Sequence, residues 1–421
     1  FRSEFVDGVI EMGEEQVIID EQNCLVAGDA SGSFNTAPIV AIDDNTGFGV
    51  MGIIGLFPGG DEGTSEISNY HQPIFKVTED YGLTWHGPDA SDDCSFYHIS
   101  DTIWEEMIAS FDEVYTDECG GYEYYIVDFW SYYDFDYKVD ANGNIHILMS
   151  VVPSDDYYVF WIDGAGWYHF SVSQDELLSE GNDSDWNWSK VADMGDTWIF
   201  SANDGATTVW HTQASLSFDQ EGSDVVWVVL DQMNDYACGE VTDDGGTPND
   251  PCDDLYSYAG LSQDIFVYKS EDGGETWFTG LNATNSMDNV DDYPAEWHGE
   301  CPEGLMWCSP EEMYPHAPQW SSEDEVYYMF QMPNWGFNEI GDLLGPDHMN
   351  RVYVGKAEVT SDTESALPDC DESCTIGDTN ADGNTDVLDI VSIVNHILGT
   401  MNLDSYGLCA GDMNSDGFID V

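Results

Sequence analysis

The eight residues Thr78-Glu-Asp-Tyr-Gly-Leu-Thr-Trp85 return as Ser270-Glu-Asp-Gly-Gly-Glu-Thr-Trp277. A third stretch, Val191-Ala-Asp-Met-Gly-Asp-Thr-Trp198, departs from the shared S/T-x-D-x-G-x-T-W pattern only at its first position. The chemistry of the pattern is local. The hydroxyl and the carboxylate satisfy amides of a tight turn, the glycine takes a backbone angle that other residues avoid, and the tryptophan packs between sheets. Such turns need strands around them, and the neighbouring sequence supplies four hairpins: Ala37–Gly55, Phe135–Val152, Ala214–Leu230 and His316–Met332. Each reads as a strand, an acidic or glycine turn, and a more apolar strand. Glu4–Glu11 and Gln16–Ile19, rich in β-branched residues, predict further short strands. Turns and hairpins repeated at this spacing predict an all-β fold built by radial repetition.

The repeated turn resembles the Asp-box of sialidase-type (BNR-repeat) β-propellers. The resemblance implies a β-propeller over residues 1–359, with the N-terminal strands completing the last blade. At about 40–60 residues per blade it has six blades, with seven as the alternative. Segments around Cys94–Cys119, Gly239–Asp254 and Asp291–Glu312 read as rim insertions, the first with a helix over Thr102–Phe111. Asp-boxes mark a fold rather than an activity. Sialidases hold a carboxylated sugar with three arginines, and this chain has only Arg2 and Arg351, which excludes a standard sialidase.

A linker, residues 360–369, leads to a different module at 370–421. Asp378, Asn380, Asp382, Asn384, Asp386 and Asp389 occupy positions 1, 3, 5, 7, 9 and 12 of an EF-hand-type calcium loop, with Gly383 at position 6. Oxygens on alternate residues converge on one hard cation, and the glycine permits the sharp turn. Val387, Leu388, Ile390, Val391, Val394, Ile397 and Leu398 then recur at helical spacing. The loop starts again with Asp412, Asn414, Asp416, Phe418 (through its carbonyl) and Asp420. Tandem loops of this kind resemble a type I dockerin, a small α-helical Ca2+-binding module that docks into cohesin receptors. Val387 and Leu388 stand where many dockerins carry a polar recognition pair. The second loop reaches only position 10, at Val421. A position-12 carboxylate supplied in trans by another copy would then build a head-to-tail filament.

The chain has 84 acidic residues against 7 basic ones, a formal net charge of −77. Two like charges 4 Å apart repel by about 1 kcal/mol even in water. This charge excludes nucleic acid and anionic membranes as partners, and suits a saline or calcium-containing exterior. Ten cysteines argue for an oxidising compartment. Close spacing suggests Cys94–Cys119, Cys238–Cys252 and Cys301–Cys308, leaving Cys24, Cys370, Cys374 and Cys409 with their pairing open. The start at Phe1 reads as that of a processed, exported, extracellular or cell-surface protein. No apolar run has transmembrane length.

The sequence nominates no catalytic residue. His71, His146, His169 and His316 sit beside predicted strands and read as hydrogen-bonded strand or loop histidines. Paired carboxylates can hydrolyse neutral glycans, yet 84 candidates give no way to choose a pair. Tyr122–Tyr133 and Trp186-Asn-Trp188 read as packing between blades, with sugar-stacking platforms as the alternative. The leading expectation is a non-catalytic, calcium-stabilised surface protein. It attaches or self-associates through residues 370–421, to a cohesin-like partner or to its own copies. The alternative is an extracellular glycoside hydrolase or glycan-binding propeller.

Overall fold

The structure is a computed structural model. It describes residues 3–6, 8–13, 15–25, 36–57, 70–117, 122–131, 134–155, 164–193, 213–233, 240–243, 255–257, 263–284, 307–309, 312–332, 335–337 and 351–363, and 377, 379, 385, 390–394 and 410 of the C-terminal segment. Two compact units divide the chain, Phe1–Leu367 and Pro368–Val421.

The first unit is propeller-like. Four antiparallel sheets follow one another, and their first strands adjoin in order. Blade I is Ile39–Ile42, Gly49–Gly55, Gln72–Thr78 and Tyr97–His98. Blade II is Phe135–Val139, Ile145–Ser154, Gly166–Val172 and Asn187–Asp193, with Asp128–Trp130 beside its second strand. Blade III is Ala214–Asp219, Val226–Met233, Gln263–Ser270 and Leu281–Asn282. Blade IV is Met313–His316, Val326–Met332 and Arg351–Ala357. Against the six blades expected, the described residues supply four, with separate two-stranded pairs outside them.

Alternation along each strand assigns one face to a core between neighbouring blades. Phe75, Tyr137 and Phe170 fill the space between blades I and II. Trp167, Leu216 and Phe266 fill the next, and Trp227, Val267 and Tyr328 the one after. Each such ring or aliphatic chain contributes about 1.5–3 kcal/mol by leaving water. The expected rim helix is present as Asp101–Ile108; it buries Ile103, Trp104 and Met107, and the Trp104 indole donates to Gln72 Oε1 at 2.8 Å.

Three of the four predicted hairpins form as read, with Asp43, Asp140 and Asp219 turning the chain by accepting backbone N–H groups. The fourth is different. Met313–His316 pairs with Val326–Met332, while Trp320–Ser321 leaves to pair in parallel with Phe218–Asp219 of blade III. Trp320 packs against the core of blades II and III there, and Ser321 Oγ meets Ser217 Oγ at 2.7 Å. Gln16–Ile19 is not a strand. Ile19 instead packs with Leu25 and Phe96 on the outer face of blade I, beside a short helix at Glu21–Cys24.

That packing carries the disulfide Cys24–Cys94, with a Cα separation of 5.2 Å. It replaces the expected Cys94–Cys119 pairing, because the N-terminal segment folds back onto blade I. The expected pairs Cys238–Cys252 and Cys301–Cys308, and Cys370, Cys374 and Cys409, fall on residues outside the described set.

The two full turn motifs are bonded alike. Thr78 Oγ1 donates to Asp80 Oδ1 at 2.9 Å and accepts from Gly82 N at 2.9 Å. Ser270 Oγ donates to Asp272 Oδ1 at 2.7 Å and accepts from Gly274 N at 2.8 Å. Asp80 and Asp272 each receive the N–H and the hydroxyl of the threonine four residues on. Gly82 and Gly274 have φ of 78° and 93°, the left-handed region that favours glycine. Trp277 Nε1 donates to Ser189 Oγ of blade II at 2.8 Å, so the turn also joins two blades. Most of the third motif, from residue 194 on, lies outside the described set.

Ser270 is fully buried and serves two backbone N–H groups. Ser270→Ala should therefore cost about 2 kcal/mol in urea unfolding. Ser270→Thr, which copies the Thr78 turn, should be nearly neutral. Equal losses for both variants would contradict the assigned role of the hydroxyl.

Candidate active site

The inner strand of blade II decides what faces the centre. Phe135, Tyr137 and Val139 point into the core with blade I. Alternation therefore turns Asp134, Asp136 and Lys138 to the opposite side. There they line a cavity of about 480 Å³ between the inner strands of the four blades. Blade I contributes an apolar wall, Val40 and Ile42, with Val40 51% exposed. Blade III contributes Gln213 and Ser215, and blade IV His316 and Gln319.

Asp136 is buried, and its contacts converge on one oxygen. Oδ2 accepts from Leu216 N at 3.0 Å and Ser215 Oγ at 3.2 Å, and Lys138 Nζ lies 3.6 Å away. Burial raises its carboxyl above the ordinary range, while Lys138 and the two hydrogen bonds pull against that rise. Asp134 has burial without such compensation. No hydrogen-bond donor reaches its carboxylate among the described residues, and burial raises it to about 7. Behind the wall, fully buried Asp231 accepts from the backbone N–H of Gln213 and of Tyr314, and burial pushes its carboxyl up as well. Asp134, immediately before the strand, and Asp136, on it, line the same cavity.

A second cavity, of about 160 Å³, lies between blades II and III beside Asp140, His146 and Asp272. His146 Nδ1 and His169 Nε2 are 2.8 Å apart, and His146 Nε2 is 3.4 Å from Asp140 Oδ2. Burial, then the neighbouring His146, hold His169 well below its usual pKa. Asp140 and Asp272 already serve their turns, so this cavity is part of the blade junction. His71 stacks on Trp130 at 4.6 Å and its Nδ1 lies 3.0 Å from Ser131 O, a packed loop histidine as expected. Of the four histidines, His316 alone lines the channel. Tyr115 and Tyr124 stack on each other and pack against the core, while Tyr122 and Tyr125 are exposed on the same hairpin. Trp186 is buried in the core of blades I and II.

The residues read as calcium ligands, Asp378 to Asp389 and Asp412 to Asp420, fall outside the described set. Their described neighbours fit a curled loop. Gly377, just before position 1, has φ 91° and donates its N–H to Ala410 O at 2.8 Å. A Cβ on Gly377 would lie 2.8 Å from Thr385 Cγ2, at position 8. Thr385 thus lies against Gly377, and Gly377 is bonded to Ala410, two residues before the second loop. Residues 390–394 are helical as expected, but the buried residue is Ile393, outside the apolar set read from the spacing, while Ile390, Val391 and Val394 are exposed.

Sequence reasoning did not single out Asp134, Asp136 and Lys138. The signal was present: D-F-D-Y-K alternates ionisable and aromatic residues along an inner strand. What the sequence lacked was the blade order that makes this strand's polar face an interior wall.

Residues 376–421 match the family model of the dockerin type I domain. The fold is similar to that of the GH93 α-L-arabinofuranosidase of Fusarium graminearum, at 12% identity, covering 80% of this chain and 69% of that one with a TM-score of 0.34. It is similar to levansucrase from Gluconacetobacter diazotrophicus, at 10% identity, 80% and 65% coverage and a TM-score of 0.35. It is also similar to the β-fructofuranosidase catalytic domain of Microbacterium saccharophilum K-1, at 9% identity, 80% and 66% coverage and a TM-score of 0.32. No curated protein matches the chain. Among the described residues no helix is long and apolar enough to cross a membrane.

A carboxyl raised to about 7 in the folded chain holds a proton that the unfolded chain releases near pH 4. Its cost is absent below about pH 4, grows as pH rises to 7 and is constant above. Asp134→Asn should therefore raise stability by about 4 kcal/mol at about pH 8, with no gain at about pH 4. Carbon-detected NMR should place the Asp134 midpoint near 7. A midpoint in the ordinary carboxylate range would contradict the assignment.

Proposed function

We propose that the first unit is a carbohydrate-active enzyme cleaving glycosidic bonds in the central channel, and that the second tethers it to a cohesin-type partner through calcium-filled loops. One observation carries the enzyme reading. Asp134 and Asp136 both face the cavity at the inner strand of blade II, and burial raises both carboxyls, but only Asp136 has partners, Lys138, Leu216 and Ser215, that oppose the rise. Such a difference between two carboxyls separates an acid from its partner. Asp134 holds a proton near neutral pH and donates it to the leaving glycosidic oxygen. Asp136, with Oδ2 fixed by Lys138, Leu216 and Ser215, takes at Oδ1 a proton from the water that bonds to the anomeric carbon as the glycosidic C–O bond breaks and the leaving oxygen departs with the Asp134 proton. Val40 and Ile42 offer an apolar surface to the ring and exclude water beside it.

The sequence alone favoured a non-catalytic surface role, and the channel chemistry shifts the weight to the hydrolase alternative. The turns at Thr78 and Ser270 share the S/T-x-D-x-G-x-T-W pattern, and the Ser270 turn also bonds to Ser189 of blade II. In the C-terminal unit, Asp378, Asn380, Asp382, Asn384, Asp386 and Asp389 would hold one Ca2+. Asp412, Asn414, Asp416, Phe418 and Asp420 would contribute to a second. Filament formation by a ligand in trans rests on residues outside the described set and has no support from the described ones. Attachment to a cohesin module on the cell surface or a secreted scaffold accords with the acidic, disulfide-bearing chain.

Two outcomes are expected. On plant and algal polysaccharides, reducing-end release should fall by about 10²- to 10⁴-fold in Asp134→Asn. Asp136→Asn should be similarly impaired, with the substrate still bound. Full activity in either variant would remove that residue from the proposed machinery, and no release by the unmodified chain would remove the enzyme reading. Chelation of calcium should unfold the C-terminal unit and abolish binding to a cohesin module. The propeller melting transition should remain in place. A C-terminal unit with unchanged circular dichroism in chelator would contradict the metal assignment.

A further inference from the structure

Lysine is scarce enough here that each one can be followed. Lys76 Nζ donates to Asp93 O at 2.7 Å and lies over the Phe96 ring. Lys190 pairs with Asp193, and Lys269 with Glu271 at 2.7 Å. Lys356 lies between Glu325 at 2.6 Å and Glu358 at 3.7 Å. Lys138 alone lines the channel, and its ammonium is 3.6 Å from Asp136 Oδ2, with side chains only 12% and 10% exposed. Arg2 and the Arg351 side chain lie outside the described set, and Arg351 is on the third strand of blade IV, two strands out from the channel. Every described lysine is therefore committed to an oxygen of the protein itself.

We propose that the channel takes a neutral glycan, and that Lys138 serves Asp136 rather than the substrate. The inference rests on the channel being the glycan site. A uronate or sulfate brought into a low-dielectric channel needs a cation of its own, because an uncompensated buried charge is costly. Engaging Lys138 would strip Asp136 of its partner and leave that carboxylate buried and unpaired. The wall opposite repeats the preference. Val40 and Ile42 offer nothing to a charged substituent and match the apolar face of an uncharged ring. The formal −77 of the chain adds a long-range repulsion of polyanions, but that part is screened by salt. The local part is not. Lys138 is thus a positioning residue that fixes Asp136, and the lack of any uncommitted described lysine sets the specificity.

The test is binding and reducing-end release by the full chain with two panels. One is neutral (arabinan, galactan, xylan) and one anionic (polygalacturonate, alginate, carrageenan). Each is run at low salt and in about 1 M salt, where the screening length shrinks to about 3 Å. The expected result is binding from the neutral panel only, with no anionic ligand recovered in high salt. Lys138→Met should then lower kcat on the neutral glycan about tenfold or more, with KM little changed and the pH profile shifted. Lys138→Arg should restore part of the rate. An anionic glycan that binds and loses affinity in Lys138→Met would overturn the inference and leave the enzyme reading standing. Neutral binding without turnover, unaffected by Asp134→Asn, would overturn the enzyme reading and leave the specificity. Binding of neither panel would overturn both.

Discussion

Asp136 Oδ2 is the point on which the centre of the molecule depends. It receives the Leu216 N–H and the Ser215 hydroxyl of blade III, and Ser215 in turn accepts the Ala317 N–H at 3.2 Å after the inner strand of blade IV. Three inner strands are thus joined through one carboxylate and one hydroxyl. Blade I is tied to the same strand by Tyr137, whose hydroxyl donates to Ile53 O at 3.1 Å. Removing the carboxylate would leave a buried ammonium and two donors without their acceptor, a cost of several kcal/mol. Structure and chemistry therefore share one atom. The oxygen that closes the centre also fixes the orientation of the proposed catalytic partner of Asp134.

The outer turns do related work at greater radius. Asp80 and Asp272 fold their turns by accepting backbone and hydroxyl protons, and these bonds hold both carboxyls below the ordinary range even though burial opposes it for Asp272. In the channel the balance is reversed, and burial wins at Asp134. A chain with 84 acidic residues can thus use the same side chain as a turn former, a strand clasp and a proton store. The environment alone separates the roles.

What could be read from the sequence follows the range of each interaction. The turn bonds span at most four residues, so S/T-x-D-x-G-x-T-W announces them directly. Three hairpins are equally local and form as read. The fourth differs because Trp320 finds a better apolar site on blade III, about a hundred residues back in the chain, than in its own hairpin. Cys24–Cys94 closes over a separation of 70 residues, which close spacing cannot suggest. Asp134 and Asp136 look in the sequence like any other acids. They become distinctive only when blades I, III and IV are set around their strand. The calcium loops are the opposite case, since their ligand order is written in consecutive residues.

The most direct measurement is a crystal structure of the full chain carrying Asp136→Asn with a neutral oligosaccharide bound. The account predicts a sugar ring in the central channel against Val40 and Ile42, its glycosidic oxygen within hydrogen-bond reach of Asp134. No group on the ring should be within reach of Lys138. Oligosaccharide bound on the tyrosine hairpin or in the cavity beside His146, with the channel empty, would contradict it.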